Sequence, residues 1–63
     1  MEWIKADKDN MPKGEVLAIN NNNYYDLGYL KYHTSTRSIH CYNSEDYMAN
    51  VTHYMILEPP KEG

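Results

Sequence analysis

The sequence predicts a small α+β domain, mainly β: an antiparallel sheet of three to four strands with one short helix. Three observations lead to this prediction. The chain has only 63 residues, which suits a single small domain. Short runs rich in Tyr, Ile and Val are separated by turn residues, and no 3.6-residue periodicity lasts long enough for a typical helix. Phe is absent and aliphatic residues are few, but 7 Tyr and 4 Met can complete a core.

The predicted strands are bounded by turn residues and cover 15–20, 24–33, 38–43 and 51–57. Pro12 and Gly14 form a turn before the first strand. Four asparagines, Asn20 to Asn23, favour a hairpin turn, because Asn tolerates the left-handed backbone conformation. The polar cluster 34–38 reverses the chain again. Pro59 and Pro60 end the last strand, because proline has no N–H to pair.

Two-residue turns at Asn21–Asn22 and Thr36–Arg37 would set the register of the hairpins, with Ile19 opposite Tyr24. Because side chains alternate across a strand, this register divides the sheet into two faces. The predicted core face carries Leu17, Ile19, Tyr24, Leu30, Tyr32, Ile39 and Cys41. The predicted outer face carries Ala18, Tyr25, Tyr29, Lys31, His33, His40 and Tyr42.

Two residues of the second strand fit this division poorly. Asp26 and Gly28 fall on the core face, although a carboxylate and a glycine add little to an apolar core. A bulge near Gly28 would relieve this misfit by shifting the alternation for part of the strand.

The predicted helix covers about 44–49. Asn43 or Ser44 can cap its first turn, and acidic residues follow at the positive end of the helix dipole. Asn50 is a plausible terminator. The helix would have at most two turns.

Composition excludes several classes of protein. The six basic residues are scattered and the net charge is −3, so nucleic acid is an improbable partner. The sequence contains no apolar run of membrane-spanning length and no secretory signal, which predicts a cytoplasmic protein.

Its single cysteine allows no internal disulfide. We expect one domain over 1–63, with 58–63 as a flexible tail.

Three spaced signatures resemble a known family. They are Trp3-Ile4, then Met11-Pro12 with Gly14 and Val16-Leu17, and finally Val51-Thr52-His53-Tyr54-Met55 with Leu57 and Pro59-Pro60. Together they are similar to the small bacterial and phage family catalogued as domain of unknown function 551.

This sequence departs from the family pattern at three positions. Met11 replaces the usual Leu, Tyr54 the usual Trp, and Ile56 the usual Pro. The resemblance implies a phage or mobile-element origin and supplies no activity. It also implies structural roles for the signature residues Trp3, Pro12, Gly14, Thr52, His53 and Tyr54.

The histidines raise the question of metal binding or catalysis. The predicted register places His33 opposite His40, but a zinc site needs a third ligand, from His53, Asp26 or Glu45. Adjacent residues of a strand point to opposite faces, so His40 is badly placed to activate Cys41. We therefore expect no metal, no cofactor and no enzymatic activity. His53, on one face with Val51 and Met55, is expected to be a partly buried structural histidine.

The tyrosines indicate a function. Tyr25, Tyr29 and Tyr42 would share the outer face with Lys31, His33 and His40, and tyrosine is typical of interface cores. Three interpretations stay open: cover by the short helix or the Trp3-Ile4 arm, a surface for a second copy or a protein partner, and a ligand-stacking platform.

From these alternatives the sequence favours a non-enzymatic binding protein. It would be a homodimer or higher oligomer and would act by binding or occluding a protein partner. The alternative function is binding of a small nucleotide-like ligand in a Tyr/His-lined site at an oligomer interface.

Overall fold

The computed structural model describes residues 2–57, which form one antiparallel six-stranded sheet. The strands are β1 (Ile4–Lys5), β2 (Val16–Asn20), β3 (Tyr25–His33), β4 (Ser38–Tyr42), β5 (Tyr47–Met48) and β6 (Val51–Ile56). Their order across the sheet is β1-β6-β2-β3-β4-β5. The described chain contains no helix, and accordingly none that could cross a membrane.

The α+β prediction is therefore wrong, since the described residues are all β. Four strands coincide closely with predicted spans, and the short strands β1 and β5 were not predicted. The predicted tail 58–63 and the stop at Pro59-Pro60 lie outside the described residues.

A tight turn replaces the predicted helix. The side-chain oxygen of Asn43 accepts hydrogen bonds from the N–H groups of Glu45 at 2.9 Å and Asp46 at 2.8 Å. The N–H of Asn43 donates to the carbonyl of Asp46 at 3.0 Å and closes a hairpin between β4 and β5. Helix caps and Asx turns use the same side-chain bond. The Asn43 side chain thus makes the bonds expected of a helix cap, but the residues that follow pair with β4 and do not form a helix.

The asparagine hairpin has a three-residue loop, not the predicted two-residue turn. The N–H of Asn20 donates to the carbonyl of Tyr24 at 3.0 Å, and Asn23 has a left-handed φ of 64°. The buried side-chain oxygen of Asn20 accepts bonds from the N–H groups of Asn22 and Tyr24. This loop pairs Ile19 with Tyr25, one residue away from the prediction.

A one-residue shift exchanges the two faces of a strand. Val16 and Ala18 consequently point into the core, whereas Leu17 and Ile19 lie on the outer face, opposite to the prediction. Tyr24, also predicted to be core, is 66% exposed. The buried apolar residues are Val16, Ala18, Ile39, Cys41, Met48, Val51 and Tyr54. Leu30 and Tyr32 pack against this core, as the alternation predicted.

The second hairpin differs from its prediction by two residues. Tyr32 pairs with Ile39 and His33 with Ser38, and Arg37 has a left-handed φ of 53°. An even shift preserves the faces, because side chains alternate with a period of two. The predicted faces of β3 and β4 are therefore those of the structure.

Gly28 lies at the centre of β3, where pairing passes from β2 on its N-terminal side to β4 on its C-terminal side. A Cβ atom at this position would lie 2.2 Å from the carbonyl oxygen of Tyr42 and 3.0 Å from the Cys41 sulfur. No bulge occurs there; within residues 2–57 the register shift lies between β2 and β6, at Ile19/Asn20. The close backbone approach explains the glycine, and β4 also contacts β6 around the shared core.

We expect Gly28→Ala to destabilise the domain by at least about 2 kcal/mol, because the added methyl group meets rigid backbone. A chain of this size has a total stability of roughly 3–9 kcal/mol, so the loss is a large share of the total. Urea unfolding followed by circular dichroism measures the effect. Gly14→Ala is the control, because in the described structure nothing lies within 4 Å of its Cβ position. Equal stability of the two variants would contradict this packing.

Candidate binding face

The outer face of the sheet has two distinct zones. The first, which we call the aliphatic zone, extends across β3, β2 and β6 and consists of Leu17, Ile19, Leu27 and Met55. The second, which we call the ring ladder, extends across β3, β4 and β5 and consists of His33, His40, Tyr42 and Tyr47. Tyr25, Tyr29 and Lys31 follow the same face of β3 beside both zones.

The ring ladder is a stack of parallel aromatic side chains. The ring of His40 lies between those of His33, at a centroid distance of 4.3 Å, and Tyr47, at 5.5 Å. Tyr42 stacks on both His33 and Tyr47 at 5.6 Å. The ladder arises because His40 is diagonal to both His33 in β3 and Tyr47 in β5, and Tyr42 directly faces Tyr47.

Hydrogen bonds hold the ladder in place. The Tyr42 hydroxyl is hydrogen-bonded to Nε2 of His33. Nε2 of His40 is bonded to the Ser38 hydroxyl at 2.9 Å, and Ser38 to Thr36 at 2.7 Å. Within residues 2–57 the buried Nδ1 of His40 meets no partner. Burial and the neighbouring His33 lower the pKa of His40, because both disfavour its charged form.

This geometry is unsuited to metal binding. His33 and His40 present their ring faces to each other, whereas a shared ion requires ring nitrogens that converge in the ring planes. In the described part of the chain, no three His, Cys, Asp or Glu side chains are grouped to hold a metal.

Cys41 lies on the core face and is completely buried. Burial, followed by the nearby charges of Asp26 and Glu15, raises the pKa of the Cys41 thiol to about 11. The thiol is therefore protonated at neutral pH, whereas the thiolate is the nucleophile.

The predicted site residues Tyr25, Tyr29, Lys31, His33, His40 and Tyr42 all lie on the outer face. Tyr25 and Tyr29 are 62% and 58% exposed. In the described chain no helix covers them, and the N-terminal arm reaches only one end of the face, where Trp3 lies 6.0 Å from the Tyr25 ring. Tyr29 and the ring ladder form an open surface.

The aliphatic zone and Tyr47 were not predicted as parts of the site. The predicted register puts Leu17 and Ile19 in the core, because its one-residue error inverts β2. The predicted helix includes Tyr47. The signal for the longer loop is Asn23, because asparagine is suited to the left-handed position that a three-residue loop requires.

The signature residues occupy different environments. Tyr54 is buried beside Ala18, its partner in β2. The Thr52 hydroxyl donates to the Ile19 carbonyl at 3.3 Å and is bonded to Nδ1 of His53 at 3.0 Å. His53 is half-buried, with Thr52 as its side-chain partner. It does not share a face with Val51, because the register shift around Thr52 separates the two.

The remaining signature residues are less enclosed. Pro12 is half-buried, Gly14 is exposed, and Trp3 contacts Tyr25 at the margin of the outer face.

A scan against protein-family models finds no match, and no curated protein or solved structure is significantly similar to the chain. The family resemblance and the phage origin that it implies therefore stay predictions.

We expect the domain to lose stability as the pH falls below about 6.5, the ordinary pKa of histidine. The pKa of His40 is lowered in the fold, so the unfolded chain takes up a proton before the folded chain does. The stability that neutral His40 contributes is fully present above the pKa of histidine in the unfolded chain. It is lost as the pH falls through the lower pKa of His40 in the folded chain.

Urea unfolding between pH 7.5 and 5 measures this dependence. The variant His40→Phe keeps an aromatic ring at this position but has no group that titrates. Its free energy of unfolding should therefore depend less steeply on pH than that of the wild type. An NMR titration midpoint for His40 at or above that of an unfolded histidine would contradict the expectation.

Proposed function

We propose that this protein is a non-enzymatic binding protein that acts by binding, and thereby occluding, a protein partner. The binding surface consists of the ring ladder together with Tyr29 and Lys31. One observation carries the proposal: Tyr29 and Tyr47 are 58% and 55% exposed on an ordered aromatic surface that no described residue covers.

The chemistry of this surface suits a protein interface. Tyrosine offers a rigid apolar ring and a hydroxyl, and it is enriched at the centres of protein interfaces. The stacked rings of the ladder already restrict one another, so binding costs them little side-chain entropy. Lys31, opposite His40 in β4, adds a positive charge to this surface.

A small planar ligand is the less suitable occupant. A base inserted between two rings needs them roughly 7 Å apart, twice the usual contact distance, whereas the ladder rings are separated by 4.3 to 6.2 Å. The sequence supplies one basic residue, Lys31, among the predicted site residues, which is little for a phosphate group. We therefore prefer a protein to a nucleotide-like ligand.

Replacing both exposed tyrosines of the surface should release the partner. We expect Tyr29→Ser/Tyr47→Ser, expressed with an affinity tag in the native host, to recover at least about tenfold less of a bound protein than the wild type. Quantitative mass spectrometry of the recovered proteins provides the measurement.

Tyr24→Ser is the matched control. Tyr24 is 66% exposed but lies in the asparagine loop, outside the binding surface. A protein recovered with the wild type and the control but not with the double variant supports the proposal. Equal recovery with all three, or no enriched protein at all, contradicts it.

A further inference from the structure

The aliphatic zone is a second apolar surface, separate from the ring ladder. Leu17 lies at its centre, with Leu27 directly opposite in β3 and Met55 directly opposite in β6. Ile19 lies next to Leu17 on the same face of β2, flanked by Tyr25 and His53. Leu27 is 46% exposed.

We propose that the aliphatic zone packs against the same zone of a second copy of the chain, forming a two-layer sandwich. This dimer would add a second partner to the proposed function, and it would use a different part of the outer face. The protein would thus bind itself through one zone and its protein target through the other.

The size and composition of the zone fit a dimer interface. Tyr25 and Trp3 border the aliphatic zone, and large aromatic side chains offer about 150–250 Å² each. The exposed parts of these two rings and of Leu27, with the half-buried side chains of the zone, amount to roughly 300–450 Å² of largely apolar surface. A stable interface buries about 800 Å² on each partner, of which somewhat more than half is apolar. An 800 Å² footprint is about a sixth of the 5036 Å² surface described here.

The charge distribution also favours a second copy. Leu17, Ile19, Leu27 and Met55 carry no charge, and charged residues are depleted at interface centres. In a symmetric dimer each copy presents the same surface to the other, so an uncharged zone meets an uncharged zone. Two antiparallel sheets with apolar inner faces pack about 10 Å apart, with their side chains interleaved.

The thin core supplies a reason for dimerisation. Among the described residues only seven apolar side chains are buried, and Val16 and Cys41 are the largest that are completely buried. Domains of this size bury a smaller fraction of their unfolded chain's surface than larger domains do, and oligomerisation is a common source of additional stability. An apolar patch of this size is comparable to the largest patch on a typical monomer, and such patches often mark an interaction site.

The test is the solution mass of the full chain, measured by sedimentation velocity over a range of micromolar concentrations. We expect the wild type to approach twice its monomer mass of 7.4 kDa. Leu27→Glu should weaken the association at least about tenfold, because it brings two charges into an apolar interface. Tyr24→Glu, a control outside the zone, should remain dimeric.

Tyr29→Ser/Tyr47→Ser should also remain dimeric, which separates this inference from the proposed function. A monomeric wild type, or a dimeric Leu27→Glu, overturns the inference even if the protein target is still recovered. A wild type that is dimeric but recovers no protein target, or a double variant that recovers the target as well as the wild type does, overturns only the proposed function.

Photo-crosslinking keeps the test decisive if Leu27→Glu fails to fold. A photo-reactive phenylalanine derivative at position 27 should give a covalent dimer on irradiation, whereas the same group at position 24 should not. Absence of the position-27 dimer, or equal crosslinking from both positions, overturns the inference.

Discussion

The structure depends on the close approach of two backbones at Gly28. The carbonyl oxygen of Tyr42 occupies the space in which a side chain at position 28 would lie, and the Cys41 sulfur is close beside it. β3 can therefore pair with β2 along one half and with β4 along the other while both halves contribute to one core. Since only glycine permits this approach, the whole core depends on a residue without a side chain.

The positions of the four longer strands could be predicted because they depend on local features, namely alternation and turn residues. The register of the hairpins could not be predicted from such features. Four consecutive asparagines allow loops of two or three residues, and the choice depends on which of them takes the left-handed conformation, here Asn23. Asn20, whose side chain bonds to two N–H groups of the loop, stabilises the longer form. The helix was mispredicted for a similar reason, because the bonds of Asn43 serve a cap or a turn equally well.

The two register errors had different consequences for the candidate site. The error between β3 and β4 was two residues, so Tyr29, His33, His40 and Tyr42 still share a face. The error between β2 and β3 was one residue, and it hid the aliphatic zone by assigning Leu17 to the core. The shared face of these four residues was thus predictable from alternation alone, whereas the aliphatic zone required the loop geometry and Tyr47 required the unpredicted strand β5. The core consequently contains even fewer aliphatic side chains than the composition suggests.

The β2–β3 register decides which side chains of β2 face the core and which face a partner. Nuclear Overhauser effects between backbone protons measure this register directly. The structure predicts cross-strand effects that pair Leu17 with Leu27 and Ala18 with Asp26. Effects pairing Ala18 with Tyr25 and Ile19 with Tyr24, as a two-residue loop requires, would contradict it and return Leu17 to the core.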